Sequence, residues 1–400
     1  MRVVIVGGGI VGLAAATSLA RRGTDVTVCE RRSLGAGSTE RSAGGIRAQF
    51  STRVNVELSL ASMDVWESFE DEFGVDIAYR RAGYLFCARE QSTADTFRET
   101  VAMQQELGVP AELLSPAEAR EHCPELHAEE FVAATYSPTD GFADPHLALQ
   151  GYAEAAREAG VEIRTKTAVT DVRRESPAAT AGSDADEREA RVVGVEVESA
   201  DGDTERLDCE FVVNAAGPWA GQIAAMAGLD LPLSPQRRQI AVVDPETPIP
   251  DSVPLTIDLD TGSYFRPERE GRALVGGFFG DESDSVVDPD DYRKDIDLAW
   301  TAEAMERAAD TAGYFGPDSR VARGWAGLYA VTPDHHPIVE EHAGFVNAVG
   351  FSGHGFQHAP AVGQIVAELV HDGEASLVDV EPLRSDRFED GDGLVERNVA

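Results

Sequence analysis

The feature that most restricts this chain is a six-residue turn near its start, Gly7-Gly8-Gly9-Ile10-Val11-Gly12. It follows the short apolar run Val3-Val4-Ile5-Val6 and leads into an alanine-rich stretch, Val11 to Leu19, ending near Gly23. In the pattern G-x-G-x-x-G between strand and helix, each glycine has its own task. Gly7 permits the tight turn, Gly9 lets a pyrophosphate approach the backbone, and Gly12 allows helix and strand to pack closely. The helix start then offers unpaired N–H groups and a partial positive charge to phosphates. Alone, such a match is weak. Here Val26 to Glu30 reads as the next strand, and Glu30 closes it where a carboxylate can accept from ribose hydroxyls. The pair predicts a dinucleotide site, and the carboxylate argues against a 2′-phosphate and so against NADP.

Three later segments select FAD over NAD. Ser38-Thr39-Glu40-Arg41-Ser42-Ala43-Gly44-Gly45-Ile46-Arg47 supplies hydroxyls, a cation, and small residues that let backbone amides come close to a flat ring. Val212-Val213-Asn214-Ala215-Ala216-Gly217-Pro218-Trp219 reads as a strand ending in a small-residue turn beside the cofactor. Gly350-Phe351-Ser352-Gly353-His354-Gly355-Phe356 follows a strand and precedes a helix, so its N–H groups suit the negative charge that develops on a reduced flavin.

Together with Gly324 to Pro337, these segments resemble the FAD-dependent amine-oxidising family of D-amino-acid oxidase, glycine oxidase, sarcosine oxidase and proline dehydrogenase. Arg41 to Phe50 and Trp325-Ala326-Gly327-Leu328-Tyr329 are most similar to the β-subunits of sarcosine oxidase and dye-linked proline dehydrogenase. The resemblance implies non-covalent FAD held by Gly7, Gly9, Gly12, Glu30 and Arg31 at the adenosine end. It implies Ser38, Thr39, Arg41, Ser42, Ala43, Gly44 and Gly45 at the pyrophosphate and flavin edge, and Val169 at the adenine. Gly217, Trp219 and Gly327 would lie along the cofactor, with Gly353, His354, Gly355, Phe356 and Gln357 at the pyrimidine side of the ring. Tyr264 matches a substrate-side tyrosine of glycine oxidase, and Arg47, Tyr329 and His354 complete the candidate catalytic set.

Departures from the family are informative. Tyr329 stands near the place of the arginine that holds the substrate carboxylate in glycine oxidase. Gln357 replaces a lysine of monomeric sarcosine oxidase, and Gly327 replaces the cysteine that attaches its flavin. Val275 aligns with the lysine that helps that oxidase reduce oxygen, which predicts slow reaction with oxygen. Arg47 can bind a carboxylate bidentately or serve the pyrophosphate side. Arg266 reads as a surface salt-bridge residue, His335 and His336 as structural, and Trp219 and Trp325 as packing.

The expected fold is α/β: an FAD-binding Rossmann-like domain, discontinuous in sequence, with an inserted α+β substrate domain built on an antiparallel sheet. The FAD domain is assigned to 1–78, 140–230 and 324–378, and the substrate domain to 79–139 and 231–323. Pro177 to Glu189 reads as a surface loop, Ala361 to Val370 as the last helix, and 379–400 as a loosely held acidic tail.

Charge limits the partners. Asp and Glu number 71 against 34 Lys and Arg, for a formal net charge of −37, and Lys166 and Lys294 are the only lysines. So negative a field disfavours nucleic acid and anionic membrane, and neither is expected as a partner. It suits a halophilic, salt-screened surface that loses structure in dilute buffer. No apolar run reaches the length of a membrane span, and no secretory leader is evident, so a cytoplasmic location is expected. Cys29, Cys87, Cys123 and Cys209 are scattered, with no metal-ligand spacing.

The expected reaction is removal of a hydride from the α-carbon of an amino acid or secondary amine to give an imine, by a dehydrogenase more than an oxidase. Electrons would pass to a quinone, an electron-transfer protein or oxygen, and a partner subunit fits the β-subunit resemblance. A 2-hydroxy-acid oxidoreductase and a flavin-bearing electron-transfer subunit stay open as alternatives.

Overall fold

The computed structural model describes residues 1–176, 190–280, 285–389 and 394–399. The expected loop from Pro177 to Glu189 lies outside the described residues. Two sheets organise the chain. The first has six strands, ordered Ile338–His342, Phe345–Val349, Phe211–Asn214, Arg2–Val6, Asp25–Glu30 and Glu162–Thr165. Five run parallel, and Ile338–His342 is joined antiparallel at one edge. Parallel strands need cover on both faces. Helices Ile10–Arg21 and Gly355–His371 lie side by side on one face, where a Cβ on Gly363 would run into the backbone of Ala14. The other face is covered by Thr167–Glu175, Arg191–Ser199 and helix Ala220–Met226 through Val169, Val195, Val197 and Ile223.

The second sheet has eight strands, ordered Arg320–Val331, Ser234–Asp244, Arg272–Gly277, Ser263–Glu268, Leu255–Asp258, Tyr84–Ala88, Ala133–Ser137 and Glu112–Leu114. It is antiparallel except where Leu255–Asp258 pairs with Tyr84–Ala88. Strand alternation divides its residues. Leu85, Cys87, Ala241, Val243, Phe265 and Val275 pack with Trp300, Ala304 and Ala308 of helix Leu298–Thr311. Tyr84, Ile240, Ile257 and Tyr264 instead face the cleft between the sheets. This is the expected α/β architecture with an antiparallel second sheet.

Two local expectations change. The last helix begins at Gly355 rather than Ala361 and carries Pro360 inside its second turn. Part of the expected loose tail is held: within 394–399, Glu396 is 1% and Asn398 4% exposed. Their polar groups are bonded to Ser51, Thr52, Asn55 and Gln49, which supply the contacts that composition alone could not show. All four cysteines are buried and free.

Candidate active site

A cleft of about 350 Å³ runs from the first glycine turn, between the sheets, to a wall of aromatic side chains. Its outer end is built mainly from backbone. Gly7 has φ +112°, and a Cβ there would strike the carbonyl of Ala215, so only glycine serves. Gly12 sits off the cleft wall, where its missing Cβ lets the helix approach the carbonyl of Gly7, as expected of the third glycine. The Glu30 carboxylate accepts from Gly8 N at 2.9 Å and Arg32 N at 2.7 Å, which fixes it at the mouth of the turn. Arg31 and Arg32 stack on the Trp219 ring, 4.0 and 5.0 Å from its centre. Asp290 joins Arg31 at 2.6 Å and accepts from Trp219 Nε1 at 3.0 Å. Val169 and Gly217 line the same end.

In the middle of the cleft, Ile10 N donates to Thr39 Oγ1 at 3.2 Å. The Ser38 hydroxyl is turned to the carbonyl of Leu328 at 2.6 Å, and Ser42 Oγ accepts from Gly44 N at 3.1 Å. Ser38, Ser42, Ala43 and Gly45 line the cleft, whereas Gly44, at φ +73°, is packed against the carbonyl of Ala143. Arg41 covers Gly327 and donates to the carbonyl of Ala326 at 3.3 Å.

The inner end is aromatic and more enclosed, with Tyr84 and Arg47 buried and Tyr264, Tyr329 and His354 half-buried. Tyr264 lies across Gly276 of the neighbouring strand, where any Cβ would strike its ring, and Tyr329 lies across Gly353 in the same way. The hydroxyls of Tyr84, Tyr264 and Tyr329 have no hydrogen-bond partner among the described residues. Burial raises all three phenol pKa values, so they stay protonated donors. Arg47 is 4% exposed. Its guanidinium donates to the carbonyls of Gln49 and Asn398 and lies 3.1 Å from His354 Nε2. Burial, then Arg47, holds His354 well below the usual histidine range, and the same two causes bring His358 down to about 3. Both rings are neutral. Gln357 accepts from Arg47 N at 2.9 Å, while its buried Nε2 has no partner.

Two expectations fail for reasons of strand geometry. Val275 does not reach the cleft. It pairs with Ala241 and Phe265 and points with them into the helix-side core; the cleft-facing residue of that strand is Gly276. Adjacent strand residues face opposite ways, so the inference from Val275 to oxygen reactivity has no footing. Arg266 is not a surface residue. It shares the inward parity of Tyr264, is 8% exposed, and donates to Glu268 at 3.0 Å and the carbonyl of Ala43 at 3.2 Å. Sequence reasoning also missed Tyr84 and Arg238. Arg238 lines the inner end, 5.5 Å from the Tyr329 ring centre, held by Gln236 at 2.6 Å and Ser285 at 3.1 Å. The alternation Gln236, Arg238, Ile240 against Arg237, Gln239, Ala241 was the available signal.

Glycine turn, ribose carboxylate, partnerless Gln357 amide and phenols fit FAD in this cleft. No helix is long and apolar enough to cross a membrane, and no metal-binding cluster occurs, among the described residues.

Comparison with known proteins agrees. The family model described as "DAO: FAD dependent oxidoreductase" matches residues 2–369. FAD-dependent oxidoreductase domain-containing protein 1 of Bos taurus is 32% identical over 427 residues, covering 99% of this chain and 86% of that protein. The structure of L-proline dehydrogenase from P. horikoshii superposes with a TM-score of 0.84 at 33% identity, covering 98% of each chain. That of glycine oxidase from Geobacillus kaustophilus gives a TM-score of 0.79 at 25% identity, covering 96% of this chain and 99% of the other.

Proposed function

We infer the reaction from the premise that the chain belongs to the DAO family of FAD-dependent oxidoreductases, and propose a dehydrogenase for an amino acid or secondary amine. The observation that carries this reading is the set of hydrogen-bond donors at the inner end. Arg47, Arg238 and three protonated phenols line it, and no carboxylate does among the described residues. Such a wall favours a substrate bearing a carboxylate, with Arg238 as its anchor, over a simple cationic amine. The similarity to proline dehydrogenase and glycine oxidase supports the same class.

FAD, when bound, accepts the hydride from the substrate α-carbon. The residues of the chain bind, orient and exclude water. Arg238 and the phenols of Tyr264 and Tyr329 hold the carboxylate end of the substrate, while Ile240, Leu255 and Ile257 keep that end dry. His354 gives its Nε2 acceptor to Arg47, so it orients neighbouring groups and takes no proton. A substrate arriving with a neutral amine needs no base; the imine that leaves hydrolyses in water. Glycine at 327 supports non-covalent FAD, because it offers no side-chain nucleophile. Slow use of oxygen is supported by the similarity to L-proline dehydrogenase, which is named as a dehydrogenase and not an oxidase. A dye, quinone or electron-transfer protein is then the acceptor.

Anaerobic titration of the holoenzyme with secondary amino acids, primary amino acids and 2-hydroxy acids tests this. Bleaching of the flavin band by an amino acid, with slow recovery in air and fast recovery with a dye, is expected. Bleaching by hydroxy acids alone would move the reading to 2-hydroxy-acid oxidation, and bleaching by neither class to an electron-transfer subunit.

A further inference from the structure

We propose that residues 394–399 complete the active site: the carbonyl of Asn398 holds the Arg47 guanidinium in the cleft wall, and Glu396 is the positioning group that fixes Asn398 by accepting its backbone N–H. Arg47 enters the site at the end of the short strand Gly45–Ile46, and its backbone N–H is taken by Gln357. The guanidinium has only donors to offer. The carbonyl of Gln49, two residues away, takes one, and the carbonyl of Asn398 takes another. The guanidinium lies over the Phe50 ring, 3.9 Å from its centre, and its remaining polar contact is His354 Nε2, 3.1 Å away. A guanidinium cannot accept, so His354 must accept there and carry its proton on Nδ1. The tail therefore acts through Arg47 on the histidine at the flavin-side turn.

A cation this deeply buried also needs a buried anion. Glu396 is the carboxylate that most strongly favours the charged guanidinium. Its own charge is held by Ser51 N and Oγ, each at 2.7 Å, Thr52 Oγ1 at 2.8 Å, Asn55 Nδ2 at 3.1 Å and Asn398 N at 3.0 Å. The backbone contact from Glu396 N to the carbonyl of Asp334 at 3.0 Å locates the segment independently of that carboxylate, and Arg397 N adds a bond to Ser51 Oγ at 2.8 Å. The second buried carboxylate near Arg47, Asp140, is pushed up to about 6 and is committed to Ala48 N and Gln49. Of the two, Glu396 is the carboxylate that also bonds the tail, through Asn398 N.

The test is a double-mutant cycle on the FAD-loaded protein, read by sulfite, an anion whose addition bleaches bound flavin and needs no substrate. Arg47→Met and Glu396→Ala should each weaken sulfite binding, by about tenfold and about fivefold, and Glu396→Ala in the Arg47→Met background should change it by less than about twofold. Equal losses in both backgrounds, or tighter sulfite binding in Glu396→Ala, would overturn the proposal. A fall in melting temperature with sulfite binding unchanged would make the tail merely structural and also overturn it. Should Glu396→Ala not fold, Glu396→Gln runs the same cycle. Because sulfite replaces substrate throughout, this result is independent of the amine reading.

Discussion

The two ends of the cleft are built on different physical terms. The outer end relies on backbone: a glycine turn, a helix start, and one carboxylate pinned by two amides. Its charged side chains are partly exposed; Arg31 and Asp290 keep 34% and 51% of their side-chain surface in solvent. The inner end is more enclosed: Arg47 and Tyr84 are buried, while Arg238, Tyr264, Tyr329 and His354 keep a partly exposed edge toward the cleft. Its side chains are set partly by residues far away in sequence, as Arg47 is by Asn398, and partly by close packing across strands, as Tyr264 lies over Gly276. Affinity for the cofactor's polar half is therefore local, whereas the chemistry rests on long-range packing.

Breaking the outer end should give the largest effect. Glu30→Arg removes the acceptor for ribose hydroxyls and leaves Gly8 N and Arg32 N facing a third cation. Losing charge-assisted bonds worth about 1.5–3 kcal/mol each should cut FAD content by about tenfold or more. The flavin-to-protein absorbance ratio after gel filtration measures this; an unchanged ratio would misplace the adenosine end.

The inner end should break differently. Gly276→Val drives a side chain into the Tyr264 ring and displaces it without touching the glycine turn. Misplacement of about 1 Å in a reacting site costs on the order of 100-fold in rate. Amine-dependent bleaching should slow by that order while FAD content holds. Equal loss of both would mean that the ends are not separable.

Acid sharpens the contrast, since titrating groups without solvent gather at the inner end. His358 has a folded pKa of about 3 against an ordinary 6.5. The unfolded chain then binds more protons than the folded one below pH 6.5, so stability falls as pH drops through that range. From pH 6.5 to 5 this amounts to about 2 kcal/mol. Asp140, raised from 3.8 to about 6, acts oppositely: it favours folding at low pH and loses that contribution between about pH 4 and 6. It offsets roughly 1 kcal/mol of the histidine loss over the same interval. His358→Gln should flatten the acid limb of the melting-temperature profile; an unchanged slope would assign it elsewhere.

The same division explains what the sequence made legible. Gly7 to Gly12, Glu30 and Gly350 to Gln357 are contiguous runs whose function follows from backbone, so their spacing suffices. Arg47 was recognisable as a cation, but its partner at 398 was not, since nothing near either residue encodes a contact across 351 positions. Val275 shows the sharpest failure. An alignment loose by one residue changes the face of a strand, which turned a proposed oxygen site into helix-packed core. Tyr84 and Arg238 needed the sheet order before their parity meant anything.

The smallest effect should come from Asp290→Asn, and salt dependence makes it diagnostic. Asp290 bridges the segment before helix Leu298–Thr311 to the outer end, where it bonds both Arg31 and the indole that Arg31 stacks on. An exposed pair contributes about 0.2–1 kcal/mol, and the stacked cation about 0.5–1 kcal/mol when exposed. The asparagine keeps an acceptor for Trp219 but gives up the charge, so only the first contribution is lost. FAD release should quicken no more than about fivefold at low salt. The chain carries a net charge of −37, so the substitution also relieves a little repulsion, which works against the loss. At about 1 M salt the screening length shrinks to about 3 Å, and variant and parent should release FAD at nearly the same rate. Release rates followed by flavin fluorescence across a salt series decide it. A defect that persists undiminished at high salt would mean that the outer end, like the inner, depends on buried geometry, and the contrast between the two would fail.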